Sequence, residues 1–575
     1  MSAVRNRGAI GVIDIFAGPG GLGEGFSSFM SSGRYPFELA VSAEMEKSAH
    51  QTLQLRAFLR LLMHHEGRIH RDYFTYCEQI AKGNTVQPSA WFGDGKWSRL
   101  WKQAEQQALK LTLGNEFDNV ALYRRIHEVR RKFSEIILVG GPPCQAYSLV
   151  GRARRAGEEE FRTKGVPRHF LYKQYLSILA DFEPALFIME NVKGLLTSTV
   201  GGDAMLAAIM RDLENPAGAV GNTRATGAPR SRYTLLPVHV APGEDRTHDL
   251  VAKDSGRFVI RCERHGVPQA RHRVVIMGVR GDLMNPGVAK VEGLRRAEEV
   301  TIEHALTGLP KLRSGLSHQP DDPVSWLEAI ESEQVRLVKV LRQAEPEVAE
   351  TIRSLVPGRR LPRGSSRYTR AANTFVSALR GTDQDVVLNH ETRGHMRGDL
   401  GRYMYCAAYA AVHGQSPSGE AFPWQLAPNH QSWGTGAFTD RFRVQLRNRP
   451  ASTITSHLSK DGHAFIHWDP AQCRSLTVRE AARLQTFPDD YLFVGNRTQQ
   501  YIQVGNAVPP LVARQIARVV WGVLNATSFE TKSRPTLRST GAVTNEGGNN
   551  DSTSREIRAV DQGEAADLRI TRGGS

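Results

Sequence analysis

The N-terminal part of the chain carries an apolar, β-branched run that leads directly into a glycine-dense turn. Residues 9–16 read AIGVIDIF, and the residues that follow read AGPGGLGEGF. A buried strand, a tight glycine turn and a helix form the usual opening unit of an open parallel sheet. Because glycine permits close backbone approach and a helix N-terminus favours negative charge, such a turn suits a ligand. This unit therefore predicts an α/β fold with a ligand at its first turn.

Further strand-length apolar runs follow, separated by helical segments. Residues 37–43, 135–139, 185–189 and 273–279 have strand character, and residues 171–182 have helical spacing. Strands that alternate with helices favour a mostly parallel, doubly wound sheet. No apolar run approaches the roughly 18 residues that a membrane helix needs, so we expect no membrane partner.

The alternation of strands and helices breaks in two places, which predicts how the chain is organised. Residues 50–132 are polar and basic, with helical character at 97–113 and 120–132, and indicate a helical insertion. The predicted units are a first domain at 8–280 that contains this insertion, a second domain at 281–448, a segment at 449–526 that returns to the first domain, and a disordered tail at 527–575. The tail is assigned on its polar composition.

The charge and cysteine content of the chain limit the classes of partner and the cellular compartment that we expect. The chain has 575 residues, a formal net charge of +15 at pH 7 and five scattered cysteines. The cysteine spacing argues against a disulfide framework and against a zinc site, and the first residues do not resemble a secretory signal. We therefore expect a cytosolic protein without a metal. The positive charge admits a polyanion such as nucleic acid, although a solvated basic surface would look the same.

The glycine turn and the end of the second strand together suggest a nucleoside. Gly18, Gly20 and Gly23 form a G-x-G-x-x-G pattern, and Glu44 ends the second strand. An acid at this place suits the hydroxyl pair of a ribose. These features alone do not separate a dinucleotide from S-adenosylmethionine, and a tight turn without a ligand is an alternative.

A cysteine lies in a stiff turn after a buried strand. Residues 140–148 read GGPPCQAYS, so two prolines precede Cys144. A thiolate at the carboxyl end of a parallel strand would be a strong nucleophile, whereas a free cysteine is more often buried and inert. Glu190 ends the next strand, and Arg271 and Arg273 precede another. These groups would suit nucleophilic attack on a polar ring, and a surface ion pair is the alternative for the arginines.

Taken in order, these motifs resemble those of the DNA (cytosine-5)-methyltransferase family. They are DIFAGPGG at 14–21, Glu44, PPCQ at 142–145, ENV at 190–192, QxRxR at 269–273, REAARLQTFP at 479–488 and QVGNAV at 503–508. The resemblance covers about residues 11–521, apart from the insertion and most of the second domain. It implies a Rossmann-like S-adenosylmethionine-dependent methyltransferase domain with a smaller target-recognition domain at 281–448.

The resemblance also implies a role for each matching residue. Cys144 would add to C6 of a flipped-out cytosine, and Glu190 would share a proton with N3. Arg273 would hold the base through O2, and Arg271 would support this polar shell. The implied S-adenosylmethionine-binding residues are Phe16, Gly18, Pro19, Gly20, Leu22, Glu44, Met45, Pro143, Leu171, Asn506 and Val508. The implied DNA-binding residues are Gln145, Ser148, Arg152 and Thr453.

One expected residue has no clear match. The family usually has an acid after its third strand that contacts the adenine amine, and the insertion obscures this place. Asp72 is the candidate that the sequence offers.

The implied activity is that of a DNA (cytosine-5-)-methyltransferase that acts as a monomer on double-stranded DNA, in the cytoplasm and associated with the nucleoid. Its expected setting is restriction–modification or phage defence, with a cognate restriction endonuclease or a defence complex as a candidate partner. A transfer-RNA cytosine methylase of the same fold is one alternative, which the long region between residues 280 and 450 disfavours. A nicotinamide-linked oxidoreductase is another, but it leaves Cys144 unexplained.

Overall fold

An eight-stranded mixed sheet, surrounded by helices, is the main element of the structure. The computed structural model describes residues 8–143, 169–197, 199–200, 203–221, 232–240, 255–358, 361–365, 367–380, 386–418, 421–428, 441–460 and 462–527. The strands are β1 Ile10–Ile15, β2 Phe37–Glu44, β3 Ala108–Lys110, β4 Ile136–Gly140, β5 Leu186–Val192, β6 Thr199–Val200, β7 Asp203–Ala204, β8 Tyr233–Pro237, β9 Val259–Arg261, β10 Gln269–Ala270, β11 His272–Arg280, β12 Gly315–Leu316, β13 Gly394–His395 and β14 Ala451–Ser452.

The helices lie between these strands and after them. They are α1 Gly21–Ser27, α2 Lys47–Glu66, α3 Arg71–Ala81, α4 Pro88–Phe92, α5 Ser98–Gln107, α6 Glu116–Lys132, α7 His169–Phe182, α8 Met205–Glu214, α9 Pro216–Ala219, α10 Pro286–Ala289, α11 Ile302–Leu306, α12 Pro323–Leu341, α13 Pro346–Arg353, α14 Thr374–Arg380, α15 Arg397–His413, α16 Val478–Leu484, α17 Arg497–Asn506 and α18 Pro510–Ala526. Within the described ranges, no helix is both long and apolar enough to cross a membrane.

The strand order of the sheet is β3-β2-β1-β4-β5-β11-β8, and β9 pairs with β11. Strands β1 to β5 pair in parallel, whereas β11 runs antiparallel to β5, β8 and β9. The predicted mostly parallel α/β sheet is therefore confirmed. Its parallel strands are buried because helices cover them, which is why they read as continuous apolar runs.

The topology brings the predicted site motifs to one edge of the sheet. The parallel strands β1, β2, β4 and β5 end there, and β11 begins there because Arg273 pairs with Val192. Carboxyl ends of parallel strands are where open α/β sheets hold their ligands. The glycine turn, Glu44, the residues before Cys144 and Glu190 all follow or end such strands.

The third parallel strand departs from the sequence prediction. The sequence predicted helical structure over residues 97–113, and this prediction is wrong at its C-terminal end. The helix ends at Gln107, and residues 108–110 form β3 beside β2. A three-residue strand is too short to show a period of two, so the sequence gives no sign of it. The segment predicted as an insertion thus contributes a strand to the main sheet, and α2 to α5 pack around their own aromatic cluster, which includes Phe58, Phe92 and Trp101.

The region after β11 has cores of its own. Trp326 and Tyr403 lie in a cluster formed mainly by α12, α13 and α15. In contrast, Ile302 and Leu306 pack with the apolar residues of the 451–507 segment. The domain boundaries predicted at residues 280 and 448 stay predictions.

Candidate active site

The turn after β1 needs glycine at two successive positions. Gly20 has a φ of +97°, and a β-carbon there would lie 2.7 Å from Cδ2 of Leu53. A β-carbon on Gly21 would lie 2.0 Å from the carbonyl oxygen of Val508. The turn therefore packs directly against the backbone of the 503–508 motif, so the structure brings together two segments that the sequence assigned to one cofactor site.

Glu44 fixes the other side of this turn. Its Oε2 accepts a hydrogen bond from the backbone N–H of Gly18 at 2.8 Å, and its Oε1 accepts one from the N–H of Glu46 at 2.9 Å. Burial raises the pKa of the carboxyl group, and these hydrogen bonds act in the opposite direction. Since a carboxylate has about four acceptor sites, Glu44 keeps acceptor capacity for the hydroxyls of a ligand.

Asp14 supports the same turn from inside β1. Its side chain is fully buried, and its Oδ2 accepts a hydrogen bond from the backbone N–H of Gly23 at 3.2 Å. Burial raises the pKa of Asp14 to about 8. Asp14 belongs to the DIFAGPGG motif, but sequence analysis assigned it no role. Its position in β1, beneath the glycine turn, shows that it holds this turn through the Gly23 N–H.

The other predicted cofactor residues differ in their exposure. Phe16 is half-buried and packs against the apolar core that contains Leu171. Leu22 is buried in α1, whereas Met45 is exposed at the end of β2. Pro19 is buried, Pro143 is half-buried and Asn506 is exposed. Their contacts with a cofactor stay predictions.

Asp72 does not occupy the place for which it was considered. It lies in α3, before the third strand β3, and its Oδ2 accepts a hydrogen bond from the indole N–H of Trp97 at 2.7 Å. The residues that follow β3 are Leu111 to Gly114, which contain no acid. The assignment of Asp72 is therefore wrong, because the sequence did not reveal where the third strand begins.

A carboxylate and a guanidinium face each other at the ends of β5 and β11. Arg273 Nε lies 2.8 Å from Glu190 Oε1, and each side chain is 13% exposed. Arg273 also donates through Nη1 to the backbone oxygen of His272 at 2.8 Å. Two partly accessible polar groups thus lie side by side at the sheet edge where ligands are expected.

The turn after β4 lies against this pair. A β-carbon on Gly141 would lie 2.9 Å from Glu190 Oε2, so the glycine lets the backbone approach the carboxylate. Asn191, next to Glu190, donates through Nδ2 to the carbonyl oxygen of Pro142 at 3.1 Å. The sequence analysis gave Asn191 no role. Its place directly after Glu190 could have suggested that it also belongs to the site. The described residues 141 and 142 are therefore held against Glu190 and Asn191.

Four predicted residues lie outside the described residues. They are Cys144, Gln145, Ser148 and Arg152. Their assigned roles stay predictions.

Arg271 and Gln269 bind backbone groups. The guanidinium of Arg271 donates to the carbonyl oxygens of Ile454 at 2.8 Å, Gly505 at 3.1 Å and Ala507 at 2.9 Å. Gln269 accepts from the N–H of Ile454 at 2.8 Å through Oε1. Of the QxRxR motif, Arg273 thus contacts Glu190, while the other two residues hold the later motifs against the site.

Thr453 belongs to this same junction. Its Oγ1 donates to the carbonyl oxygen of Ala270 at 2.6 Å, and β10 and β14 pair beside it. Its side chain is nonetheless accessible at the surface, and its predicted DNA contact stays a prediction.

A buried ion network lies behind the glycine turn. Arg56 of α2 contacts Glu24 of α1 at 2.5 Å and Asp490 at 3.0 Å, and its guanidinium lies 4.8 Å from the centre of the Tyr491 ring. The hydroxyl of Tyr491 donates to the carbonyl oxygen of Pro19 in the turn. Sequence reasoning missed this network, because it joins residues that are far apart in the chain and show no common pattern.

The comparisons with known proteins agree with this arrangement. The family model described as "C-5 cytosine-specific DNA methylase" matches residues 101–216 and 258–521. The type II methyltransferase M.Bpa9945I of Bacillus paralicheniformis is 29% identical over 530 residues, which cover 89% of this chain and 99% of that protein. The type II methyltransferase M.AgeI of Thalassovita gelatinovora is 28% identical, over 67% of this chain and 82% of that protein. The DNA (cytosine-5-)-methyltransferase M.ApeKI of Aeropyrum pernix is 27% identical, over 68% of this chain and 82% of that protein.

The family model matches more than half of the chain, and it includes β4, β5, β11 and the two late motifs. The resemblance stated from the motifs is thereby confirmed. The chain belongs to the C-5 cytosine-specific DNA methylase family.

Proposed function

We propose that this protein transfers a methyl group from S-adenosylmethionine to C5 of a cytosine in double-stranded DNA. The observation that carries the proposal is the Glu190–Arg273 pair, at 2.8 Å, against the turn that leads into Cys144. A carboxyl group and a guanidinium side by side match the N3 and O2 edge of cytosine. Cys144, which follows this turn in the sequence, would supply the nucleophile.

The residues around the glycine turn fit the methyl donor. Glu44 has acceptor capacity for the ribose hydroxyls, and the turn at residues 18–20 allows close backbone approach. Phe16 and Leu171 offer apolar surface for the adenine. When bound, S-adenosylmethionine supplies the electrophilic sulfonium methyl group. Asp14 and the 503–508 motif would hold the turn in the shape that this ligand needs.

The chemistry at the base starts with the thiolate of Cys144, which forms a bond to C6 of the ring. Glu190 would share a proton with N3 so that the negative charge that develops on the ring is offset. Arg273 keeps the carboxyl group oriented and binds O2. C5 would then take the methyl group as the S–CH3 bond of the sulfonium breaks and a neutral thioether leaves. A base would remove the C5 proton, N3 would return its proton to Glu190, and the S–C6 bond would break to restore the thiolate.

C6 is inaccessible within a stacked duplex, so the target cytosine must leave the helix. Extruding a base costs on the order of a few kcal/mol, which contacts to the extruded base and to the DNA backbone must offset. We assign the choice of target sequence to residues 281–448. The names of the relatives place them in type II systems, and we propose the same setting here, with a cognate endonuclease as partner.

Methyl transfer from labelled S-adenosylmethionine to bacterial genomic DNA tests the proposal directly. We expect label in DNA, recovered as 5-methylcytosine after digestion to nucleosides, and bisulfite sequencing should locate it at one sequence word. The Cys144→Ala protein is the control and should transfer nothing. Label on adenine, on the cytosine amino group or on transfer RNA alone would overturn the proposal.

A further inference from the structure

A basic cavity lies next to the candidate active site, and neither the motifs nor the proposed chemistry uses it. The cavity has a volume of about 370 Å³, near the lower end of ligand pockets, which span about 300–1,000 Å³. Its lining residues are Lys193, Leu196, His239, Gly256, Val259, Arg261, Arg264 and His265. None of these is an acid.

The charge of this cavity comes from three side chains. Lys193, Arg261 and Arg264 are exposed, and none of them forms an ion pair with a carboxylate in the described part of the chain. Burial lowers the pKa of His265, so that ring contributes no charge at neutral pH. The nearest acid by sequence, Glu263, lies 2.9 Å from His272 and is engaged there. The described lining of the cavity thus brings three positive charges together and contains no carboxylate.

The topology places residues of this cavity directly after β5, which carries Glu190, and on β9, which pairs with the strand that carries Arg273. Lys193 follows Glu190 by three residues at the end of β5. Arg261 pairs with His272 across the β9–β11 ladder, and the next pair of the ladder joins Ile260 and Arg273. Both members of the Glu190–Arg273 pair are therefore close along the backbone to a cation of the cavity.

We propose that Lys193, Arg261 and Arg264 bind a backbone phosphate of the DNA strand that carries the target cytosine, next to the extruded nucleotide. The inference rests on the proposed function. Arginine and lysine are the side chains that bind phosphodiesters, and such contacts fix the position of the duplex without reading its sequence. A phosphate held here would keep the sugar of the extruded nucleotide beside Glu190 and Arg273, which no contact to the base alone would do.

A coupling experiment between side chain and phosphate tests this proposal. The DNA is a duplex that contains the word found by bisulfite sequencing, in which single phosphates around the target cytosine are replaced one at a time by neutral methylphosphonate. We expect one or two adjacent replacements to weaken binding by wild-type protein by about tenfold, the size typical of a charge-assisted hydrogen bond. The Arg264→Gln protein should bind unmodified DNA more weakly than wild type to a similar extent. Methylphosphonate replacement at those same one or two positions should then reduce the affinity of this variant hardly any further.

The salt dependence of binding gives a second readout. The logarithm of the binding constant falls with the logarithm of salt concentration by about 0.9 for each phosphate contact in duplex DNA. Arg261→Gln combined with Arg264→Gln should reduce this slope by about that amount, uniformly for target and non-target duplexes. Arg295→Gln is the matched control, since Arg295 carries the same charge but lies 3.4 Å from Glu292 and does not line the cavity.

Two outcomes would overturn the inference and are distinct from failure of the proposed function. If every methylphosphonate replacement reduces the DNA affinity of wild type and of Arg264→Gln by the same factor, Arg264 contacts no particular phosphate and acts only through its long-range charge. If Arg295→Gln weakens binding as much as Arg264→Gln, the cavity is not a site. Both results presuppose that wild-type protein methylates DNA; a wild-type protein that does not would instead overturn the proposed function.

Discussion

Arg56 and Glu24 form a doubly hydrogen-bonded ion pair in the interior, with Nη2 to Oε1 at 2.5 Å and Nε to Oε2 at 2.9 Å. The pair joins α2, which belongs to the predicted insertion, to α1, which follows the glycine turn. Because Arg56 also contacts Asp490, one guanidinium connects three separate parts of the chain. The predicted insertion thus contacts the helix that follows the glycine turn.

Replacing Arg56 with methionine should destabilise the protein by about 3–5 kcal/mol, since its removal takes the arginine partner from the buried Asp490 and leaves Glu24 with the longer Arg60 contact at 3.4 Å. Urea unfolding measures the free energy of unfolding. The matched control is Arg125→Met on α6, where the partner Glu128 lies 2.8 Å away at the surface and the loss should stay below about 1 kcal/mol. Equal losses in the two variants would contradict the assigned role.

Glu190→Gln should slow methyl transfer by more than about tenfold, because an amide cannot supply the proton that N3 requires and general acid catalysis contributes about 10²- to 10⁴-fold. Single-turnover rates under saturating S-adenosylmethionine measure this step. The affinity for S-adenosylmethionine should remain nearly unchanged, because Glu190 contacts Arg273 rather than the glycine turn. A variant that reacts at the wild-type rate would remove Glu190 from the mechanism.

DNA that carries 5-fluorocytosine at the target should form an adduct with the protein that survives denaturation when S-adenosylmethionine is present. After methyl transfer C5 carries a methyl group and fluorine and has no proton to lose, so elimination cannot break the S–C6 bond to Cys144. Cys144→Ala should give no adduct in a denaturing gel. Cys262→Ala should give the full adduct, because burial raises the pKa of that thiol to about 12 and leaves it protonated. An undiminished adduct with Cys144→Ala would place the nucleophile elsewhere.

Asp14 should make the stability of the fold depend on pH. Burial raises its pKa to about 8 from an ordinary value of 3.8, so between these values the folded state holds a proton that the unfolded chain has released. The contribution of Asp14 to the free energy of unfolding is therefore fully present below about pH 4, declines as pH rises and levels off above about pH 8.

Asp14→Asn tests this dependence, since the amide oxygen can still accept the Gly23 N–H but does not titrate. We expect the variant to gain stability relative to wild type as pH rises from 5 to 9, by an amount on the order of a few kcal/mol. Thermal or urea unfolding of both proteins across this range gives the difference. Parallel curves for the two proteins would show that Asp14 does not titrate in this window.

The strands β1, β2, β4, β5 and β11 were predictable from the sequence, because buried strands leave continuous apolar runs and the motifs stand at their ends, whereas β8 and β9 were not predicted. The ion pair between Glu190 and Arg273 follows from that topology once β11 is placed beside β5. β3 was not predictable, since Ala108–Lys110 is too short to show a period and follows directly on a helix. The error over Asp72 follows from that omission.

The role of Arg271 shows a different limit. Its spacing of two from Arg273 suggested a shared polar shell, but its guanidinium donates to three backbone carbonyls from the 454 and 505–507 segments. Sequence spacing does not reveal which backbone oxygens a tertiary fold brings near a side chain. The same is true of Arg56, whose partners lie in two segments that only the folded chain brings together.

The close contact between Gly21 and the Val508 carbonyl has a consequence for synthesis of the enzyme. The 503–508 motif, which packs on the glycine turn, is translated among the last of the described residues. A nascent chain that already contains Cys144 therefore lacks part of the proposed methyl-donor site. Two fragments divided between β11 and the 503–508 motif would each carry part of that site. Activity would then return only when the two fragments associate. The fold would therefore suit a split enzyme in which DNA methylation reports that association.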